Sequence, residues 1–378
     1  MSDVLLVATR KGLFEFRRRG KGAWRAAPPQ FVGVPVSMAL HDPRDGATYA
    51  ALDHGHFGCK LHRRAGGAGR RGAGGWTEVG VPVYPPARTV RGKVVVEKDG
   101  SGRPWPRALK LIWSLEIDPA TPGGLWCGTI PGGLFHSGDH GATWALVQGL
   151  WNQKARRRWL GGGYDWPGIH SVCVDPRDPQ VVAVGISCGG VWRTEDGGRH
   201  WQQTARGMRA DFMPPGRRDD PDIQDVHRIV QCRAAPDRLW AQHHCGIYRT
   251  ATRGARWTEV KAKAPSRFGF ACAVHPDDPD QAWFVPAVKD ECRVPVDGRL
   301  VVTRTTDGGR TFEVLARGLP RSSWDLVWRH GLDVSADGRR LAMGSTTGGL
   351  WVSEDGGKGW TELDAHLPPI HAVRFAAE

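Results

Sequence analysis

One eight-residue pattern recurs four times in the chain: SGDHGATW at 137–144, TEDGGRHW at 194–201, TTDGGRTF at 305–312 and SEDGGKGW at 353–360. Every copy has Ser or Thr first, Asp third, Gly fifth and Trp or Phe eighth. This combination is typical of a β-hairpin turn, because the Asp carboxylate accepts backbone N–H groups, Gly adopts a positive φ and the aromatic residue begins the next strand. We therefore expect these Asp residues to stabilise turns rather than to catalyse a reaction.

The sequence before each copy has the pattern of three short strands. In the clearest unit, an apolar run at 169–174 is followed by a Pro-containing turn at 175–179, a second run at 181–185 and a third strand that leads into the Asp motif. With the strand after the motif, this makes four strands, A to D, which is one propeller blade. Degenerate copies of the motif bring the aromatic anchors to seven, namely Trp24, Trp76, Trp144, Trp201, Trp257, Phe312 and Trp360. The sequence therefore predicts an all-β, seven-bladed β-propeller with four-stranded antiparallel blades.

The two ends of the chain supply complementary parts of one blade. The first unit begins directly with the strand-like run 4–9 and lacks an A strand, whereas 370–375 is an A strand without a blade. We expect the C-terminal strand to complete the N-terminal blade and close the ring, which removes open sheet edges. Residues 1–378 are predicted to form a single seven-bladed propeller domain.

These repeats resemble the Asp-box, or BNR, repeat of sialidases, sortilin-type receptors, some glycosidases and photosystem assembly factors. The chain also resembles bacterial WD40/YVTN/BNR-like repeat proteins that are often labelled exo-α-sialidase or glycosyl hydrolase. The resemblance implies a β-propeller. Sialidases, however, are six-bladed and use an Arg triad, a Tyr nucleophile with a Glu, and an Asp acid/base. This chain lacks the Arg-Ile-Pro motif and has only four Tyr, so sialidase activity is disfavoured.

Composition restricts the partners and the compartment. The formal charge is +13, which is compatible with a polyanion, but no nucleic-acid-binding motif accompanies the arginines and nucleic acid is disfavoured as a partner. No apolar run is long enough to span a membrane, and no signal peptide is recognised. The eight Cys form no disulfide framework, so a reducing, cytoplasmic location is predicted. A monomer or a small homo-oligomer is expected.

The order of strands in a blade predicts which loops carry function. Strand A begins and strand B ends on the same face of the disc, so the D-to-A and B-to-C loops share this face, which we call the top. Long loops occupy it, including 80–111, 145–168 and 202–225. Loops gathered on one face of a rigid scaffold commonly carry the function.

Histidine is concentrated where the A strands begin. Counting six places back from the turn prolines, or aligning by pattern where no such proline occurs, gives seven equivalent positions: Ser37, Trp113, His170, His227, Phe270, His330 and His371. Imidazoles that converge from several strands suit Zn, Fe, Cu or Ni. His170, His227, His330 and His371 are therefore predicted as ligands of a transition metal in an axial small-molecule site.

A metal-free alternative uses a histidine as general base. His243 and His244, at the end of a B strand, and Arg228 are the candidate catalytic residues, with Arg10, Lys11 or Arg228 holding an anionic substrate. Glycosidase chemistry would instead need two positioned carboxylates. Five acidic residues are placed on or near the top face without an evident pairing: Asp53, Glu116, Asp165, Asp225 and Asp325.

Three functions remain open at this point. The first is an enzyme with the His-lined, metal-binding axial site, and its reaction is not defined. The second is a non-catalytic interaction or assembly scaffold, supported by basic and Trp-rich top loops. The third is a glycoside hydrolase, which rests on the family resemblance only.

Overall fold

Seven four-stranded sheets make up the fold, together with one two-stranded hairpin. The computed structural model describes residues 3–18, 20, 22–66, 75–87, 89–262 and 264–376. Within each blade the neighbouring strands pair antiparallel, as in the fourth blade. The predicted seven-bladed β-propeller is confirmed.

The first three blades and the hairpin between the second and third contain β1 (Val4–Thr9), β2 (Gly12–Arg17), β3 (Arg25–Ala26), β4 (Val36–Asp42), β5 (Ala47–Asp53), β6 (Cys59–Arg64), β7 (Trp76–Val79), β8 (Thr89–Val90), β9 (Lys93–Val94), β10 (Leu111–Ile117), β11 (Leu125–Ile130), β12 (Leu134–Ser137) and β13 (Ala145–Leu146). The fourth and fifth blades contain β14 (Ile169–Val174), β15 (Val182–Ile186), β16 (Gly190–Thr194), β17 (Gln202–Gln203), β18 (Val226–Gln231), β19 (Leu239–His243), β20 (Gly246–Thr250) and β21 (Thr258–Val260). The last two blades and the closing strand are β22 (Gly269–Val274), β23 (Ala282–Pro286), β24 (Val302–Thr305), β25 (Glu313–Leu315), β26 (Leu332–Val334), β27 (Leu341–Gly344), β28 (Leu350–Ser353), β29 (Thr361–Asp364) and β30 (Ile370–Phe375).

Helical structure among the described residues is confined to short segments in the loops. The one α-helix is α1 (Gln148–Trp151), and the 3-10 turns are Gly55–Phe57, Lys154–Arg158, Pro215–Arg217, Pro221–Ile223 and Val296–Gly298. In the part of the chain that the structure describes, no helix is long and apolar enough to cross a membrane. All eight cysteines are free thiols.

The repeated Asp motif forms the turn between strands C and D, as predicted. Asp196 Oδ1 accepts the backbone N–H of His200 at 2.9 Å, and Thr194 Oγ1 accepts that of Gly198 at 3.0 Å. Gly198 has φ of +95°, a conformation that costs an L-residue energy. The other three complete copies repeat both contacts. These carboxylates are therefore occupied by turn N–H groups.

The aromatic anchors pack between neighbouring blades. Trp201, Trp257 and Trp360 are buried. Trp201 lies in one apolar cluster with Trp126 of the preceding blade and Trp192 of its own. Inter-blade burial of large rings of this kind accounts for much of the Trp content and holds the blades at a fixed angle.

The last strand closes the ring, as predicted. β30 pairs antiparallel with β1, with Leu5 opposite Phe375 and Val7 opposite Val373. The first blade therefore takes its innermost strand from the C-terminal end of the chain.

The innermost strands share a feature that positions the top-face side chains. Six of them carry a β-bulge beside the axis, and each bulge contains the residue that the sequence alignment selected, namely Ser37, Trp113, His170, His227, Phe270 or His371. In the sixth blade, Phe270 and Ala271 are both unpaired. The seventh, His330, lies before the short strand β26 and forms an isolated bridge with Ala372. A bulged residue is not paired across the strands, so its side chain is available to neighbouring blades. Three of these side chains bond the backbone carbonyl that precedes the equivalent residue of the next blade: Ser37 to Ile112, His227 to Gly269 and His371 to Val36.

Candidate functional site

Two adjoining cavities open on the top face. We call the first the axial cavity, and its lining includes Arg10, Asp53, Trp113, Tyr164, Asp165, Trp166, Trp328 and His371. The second, lined by Cys188, Asp225, His227, His244, Phe268 and Glu291 among others, is called the side cavity. Their volumes are about 430 Å³ and 450 Å³. Gly163, Phe270, Arg293 and Arg329 line both, so these four residues form the wall between them.

The loops that line these cavities are the ones predicted to share the top face. Arg10 and His244 lie in B-to-C loops, whereas 161–166 and 328–330 belong to D-to-A connections. A rigid scaffold with function in its loops is a common arrangement, and here both loop types contribute.

Aromatic rings form much of the axial cavity. Trp113 makes edge contacts with Tyr164 at 5.0 Å and with His170 at 5.4 Å. Trp328 stacks on His371 with ring centroids 5.4 Å apart. Trp166 donates its indole N–H to the carbonyl of Pro104 at 3.0 Å, which fixes the orientation of the ring. The cavity therefore presents rigid apolar faces beside polar groups.

Cations outnumber carboxylates in the axial cavity. Arg10 and Lys110 are exposed on its rim and form no ion pair with any described residue. Asp165 accepts a hydrogen bond from Arg103 at 2.8 Å, and Asp53 caps the backbone N–H of Gly55 at 3.1 Å. The site therefore favours a ligand that carries negative charge.

Arg329 sits in the wall between the two cavities. The residue is buried, and its guanidinium lies 4.9 Å from the Trp113 ring centroid and 5.3 Å from that of Phe270. It donates to the carbonyl of Gly162 at 3.3 Å, while Nε has no partner among the described residues. Burial lowers the pKa of Arg329, although Asp225 opposes that effect. A buried guanidinium with an unused N–H can bind an acceptor that enters either cavity.

The side cavity contains a compact group of one carboxylate and two imidazoles. Ligand atoms of Asp225, His227 and His244 all lie within 4.8 Å of one another. Asp225 Oδ2 is 3.5 Å from His227 Nε2 and 3.2 Å from His244 Nδ1. Asp225 and His227 are buried, and His244 is partly exposed to the cavity.

The electrostatics of this group follow from burial and from opposite charges. Burial alone would raise the pKa of Asp225. The neighbouring His227, His244 and Arg329 lower this pKa by more, so it lies well below its ordinary value. Burial lowers the pKa of His227 by more than Asp225 raises it. Burial also lowers the pKa of His244, but the Asp225 carboxylate raises it by more, so His244 is the most basic imidazole of the group.

The four histidines predicted as metal ligands are not gathered into one group. Among the described residues, the metal-compatible group of three contains His227 but not His170, His330 or His371. His170 bonds Ser171 Oγ through Nδ1 at 2.9 Å, and its Nε2 has no described partner. His330 Nδ1 accepts from Arg228 at 2.7 Å. His371 lines the axial cavity and donates through Nδ1 to Val36.

The three predicted catalytic residues also separate. His244 lines the side cavity, whereas His243 and Arg228 line neither top-face cavity. His243 is fully buried, its Nδ1 accepts the N–H of Cys245 at 3.0 Å, and burial lowers its pKa to about 3. Arg228 lies deeper along the axis, in a cavity with Glu116 and Asp333.

The acidic residues considered from the sequence divide in the same way. Asp53 and Asp165 line the axial cavity and Asp225 lines the side cavity. Glu116 instead pairs with Arg374, and Asp325 accepts from Ser323. Arg329, Tyr164 and Trp166 were not singled out, because a long loop gives no periodic signal of where its side chains point.

The chain matches no family model. It is 25% identical over 288 residues to a probable oligoxyloglucan-reducing end-specific xyloglucanase of Neosartorya fischeri, a match that covers 69% of this chain and 33% of that protein. The chain thus spans about a third of the length of the curated relative that it matches.

Two solved structures show the same fold at low sequence identity. An ancestral GH74 enzyme superposes with a TM-score of 0.57 and 14% identity over 84% of this chain and 36% of that one. A putative 6-phosphogluconolactonase from Bacteroides fragilis superposes with a TM-score of 0.54 and 14% identity over 99% of this chain and 98% of that one. The chain therefore has a β-propeller fold like that of GH74 glycoside hydrolases. Its sequence is also weakly similar to that of a xyloglucanase.

Proposed function

We propose that the chain is a BNR-type propeller that binds an oligosaccharide in the axial cavity and hydrolyses it as a glycoside hydrolase. The observation that carries this proposal is that rigid aromatic faces and two carboxylates line the same cavity. The weak xyloglucanase homologue supports the same class of substrate. The eight free thiols support a reducing, cytoplasmic location.

The aromatic residues provide the binding surface. A sugar ring has apolar C–H faces that pack on an aromatic ring while its hydroxyls reach polar groups at the edge. Trp166 is held by its bond to Pro104, and Tyr164 packs edge-on against Trp113. Because these rings do not have to be ordered on binding, little conformational entropy is lost there.

The carboxylates provide the chemistry. In glycoside hydrolysis, one carboxyl group donates a proton to the glycosidic oxygen as the C–O bond breaks, and the second directs water to the sugar carbon or attacks that carbon itself. Asp53 and Asp165 are the carboxylates of the axial cavity and are the pair that we assign to this reaction.

The unpaired cations on the rim support an anionic substrate. Arg10 and Lys110 have no described ion-pair partner, and Arg329 has an unused N–H in the wall. We therefore assign a saccharide with a carboxylate or another anionic group in preference to a neutral one.

The test compares neutral xyloglucan oligosaccharides with oligosaccharides that contain uronic acid, using calorimetry for binding and release of reducing ends for hydrolysis. Asp53→Asn and Asp165→Asn should retain binding and lose hydrolysis, whereas Asp277→Asn, on an exposed turn, should behave as wild type. If none of these saccharides binds or is cleaved, the proposal is wrong.

The aromatic contribution has its own control. Trp166→Ala should raise the Kd about tenfold, since loss of an aromatic contact of about 1.4 kcal/mol corresponds to that factor. Trp324→Ala removes a Trp that is 70% exposed and does not line the cavity, so it should leave the Kd unchanged.

A second candidate function is a non-catalytic scaffold, and one observation favours it. Phe57, Phe212 and Trp324 are exposed on top-face loops, at 71%, 45% and 70%. Exposed large rings of this kind are common in protein-binding surfaces. The scaffold function is favoured over hydrolysis if no saccharide binds and the wild-type protein binds a protein partner that Phe57→Ser and Trp324→Ser no longer bind.

A further inference from the structure

The side cavity contains a group of ligands that the hydrolysis proposed above does not use. We propose that Asp225, His227 and His244 together bind one divalent first-row transition-metal ion, Zn(II) or Fe(II), with coordination positions left open to the cavity. Two imidazoles and one carboxylate on one side of an ion are a donor set that suits either metal. This ligand set differs from the four axial histidines predicted from the sequence.

The backbone of one blade places the three residues together. Asp225 directly precedes β18, His227 is the bulged residue of that strand, and His244 directly follows β19. The backbone N–H of His244 donates to the carbonyl of Asp225 at 2.9 Å. The ligands are therefore held by paired strand ends rather than by a free loop, which suits a site of defined geometry.

The separations of the two imidazoles from the Asp225 carboxylate are close to those expected around one ion. With metal–ligand bonds of about 2.1 Å, two ligands of the same ion lie about 3.0 Å apart in octahedral and about 3.4 Å apart in tetrahedral geometry. The observed separations from Asp225 Oδ2 are 3.2 Å to His244 Nδ1 and 3.5 Å to His227 Nε2. These two separations suit a shared ion, and all three ligand atoms lie within 4.8 Å of one another.

The hydrogen bond of His227 determines which nitrogen faces the site. Its Nδ1 lies 2.6 Å from the carbonyl oxygen of Gly269, which only accepts, so Nδ1 carries the proton. In the neutral ring, Nε2 then presents a lone pair towards the Asp225 carboxylate, an arrangement that a cation between the two would stabilise. A ligating imidazole whose other nitrogen donates to a backbone carbonyl is the usual arrangement at metal sites.

The surrounding residues hold the rings and leave room for a ligand. His227 stacks on Phe270 at 4.4 Å, and the ring of Phe268 makes edge contacts with both His227 and His244. Asp225 Oδ1 accepts the backbone N–H of Cys188 at 3.4 Å, which leaves Oδ2 for the ion. The cavity beyond the three ligands is open, so water or an oxygen of a small ligand can complete the coordination.

The test measures metal directly and uses no saccharide, so its outcome does not depend on the proposed hydrolase activity. Untagged protein is stripped with a chelator, incubated with Zn(II) or with anaerobic Fe(II), separated from free ion and analysed for metal. Co(II) replaces Zn(II) in a parallel sample, because its visible absorption reports coordination by nitrogen and oxygen. Wild type should retain about one equivalent and gain a higher Tm.

The variants separate this site from the alternatives. Asp225→Asn and His244→Ala should each weaken metal binding at least tenfold and lose the Co(II) spectrum, while circular dichroism shows that the propeller is folded. His371→Ala, which changes an axial histidine outside the group, should bind as wild type. The proposal is overturned if wild type retains no metal, if both ligand variants bind as tightly as wild type, or if His371→Ala loses metal equally.

Discussion

Replacing Ile370 with alanine tests whether the closing strand stabilises the whole ring. Ile370 is the first residue of β30 and is fully buried. It lies in an apolar cluster with Leu5, Val7 and Leu350, which joins the first blade to the last. A Cβ built on Gly344 would lie only 2.6 Å from Ile370 Cγ2, so the side chain packs directly on neighbouring backbone.

The size of the effect follows from the atoms removed. Three buried carbons at about 0.8 kcal/mol each contribute about 2.4 kcal/mol. The cavity left between two rigid blades brings the total to about 3–4 kcal/mol, within the range of about 2–5 kcal/mol for such a substitution. The unfolding entropy of 378 residues is about 0.8 kcal/mol/K, so the Tm should fall by about 4–5 °C.

The assay is thermal and urea unfolding followed by circular dichroism and by Trp fluorescence. Val314→Ala is the control, because Val314 is 50% exposed on an outer strand and its truncation should cost less than about 0.5 kcal/mol. A Tm for Ile370→Ala within about 1 °C of wild type would refute the reasoning, since it would mean that this contact contributes little to closure.

Three further outcomes are expected. Gly198→Ala should destabilise the protein by about 1–3 kcal/mol, because φ is +95° and the new Cβ would lie 2.9 Å from Val147, whereas Gly216→Ala, with open space around it, should not shift the urea midpoint. Burial raises the pKa of Asp175, but its bonds with Arg177 lower it by more, so its folded pKa lies below the unfolded value. The ionised carboxylate therefore stabilises the fold above about pH 4, and this effect is lost as the pH falls through the folded pKa. Asp175→Asn should accordingly reduce the fall of Tm at acid pH. An unchanged dependence of Tm on acid pH would contradict this. Of the eight cysteines, Cys292 is the exposed one. A disulfide reagent should therefore modify one thiol quickly in the native protein and none in Cys292→Ser. Several rapidly modified thiols would contradict the burial of the other cysteines.

The fold was predictable because each blade is specified by local chemistry. The Ser/Thr–Asp–Gly turn at 194–198 and the anchor Trp201 lie within one hairpin, and their contacts in the structure are the ones expected from residue type. Counting anchors then determined the number of blades. The missing A strand at the start and the unpaired one at 370–375 identified how the ring closes.

The positions beside the axis were also predictable, but their chemistry was not. Counting back from turn prolines selected four residues that lie in β-bulges, because the length of strand A is constant where that turn is constant. His227, aligned through another proline, and His371, aligned by pattern, lie in bulges as well. His330, aligned on Ala336 instead of a proline, lies outside its strand. The alignment placed four histidines at equivalent positions around the axis. The side chains of His227 and His371, however, bond the backbone of neighbouring blades, so the four imidazoles do not meet at one point.

The groups that the structure brings together depend on contacts distant in sequence. Asp225 lies just before β18 and His244 just after β19, and only the antiparallel register of these two strands places them side by side. The guanidinium of Arg329 contacts the rings of Trp113 and Phe270, which belong to two other blades. Neither juxtaposition has a signature in residue type or spacing, because long-range packing decides it.

The bulges have a consequence for how this protein could change its ligand. A residue inserted between two paired positions stands outside the hydrogen-bond ladder, so its identity does not determine the strand register. Ser, Trp, His and Phe already occupy this position in different blades of the same ring. The propeller therefore separates scaffold from specificity. A library that varies Trp113 and Phe270, two bulge positions that line the axial cavity, should yield folded rings with altered recognition there.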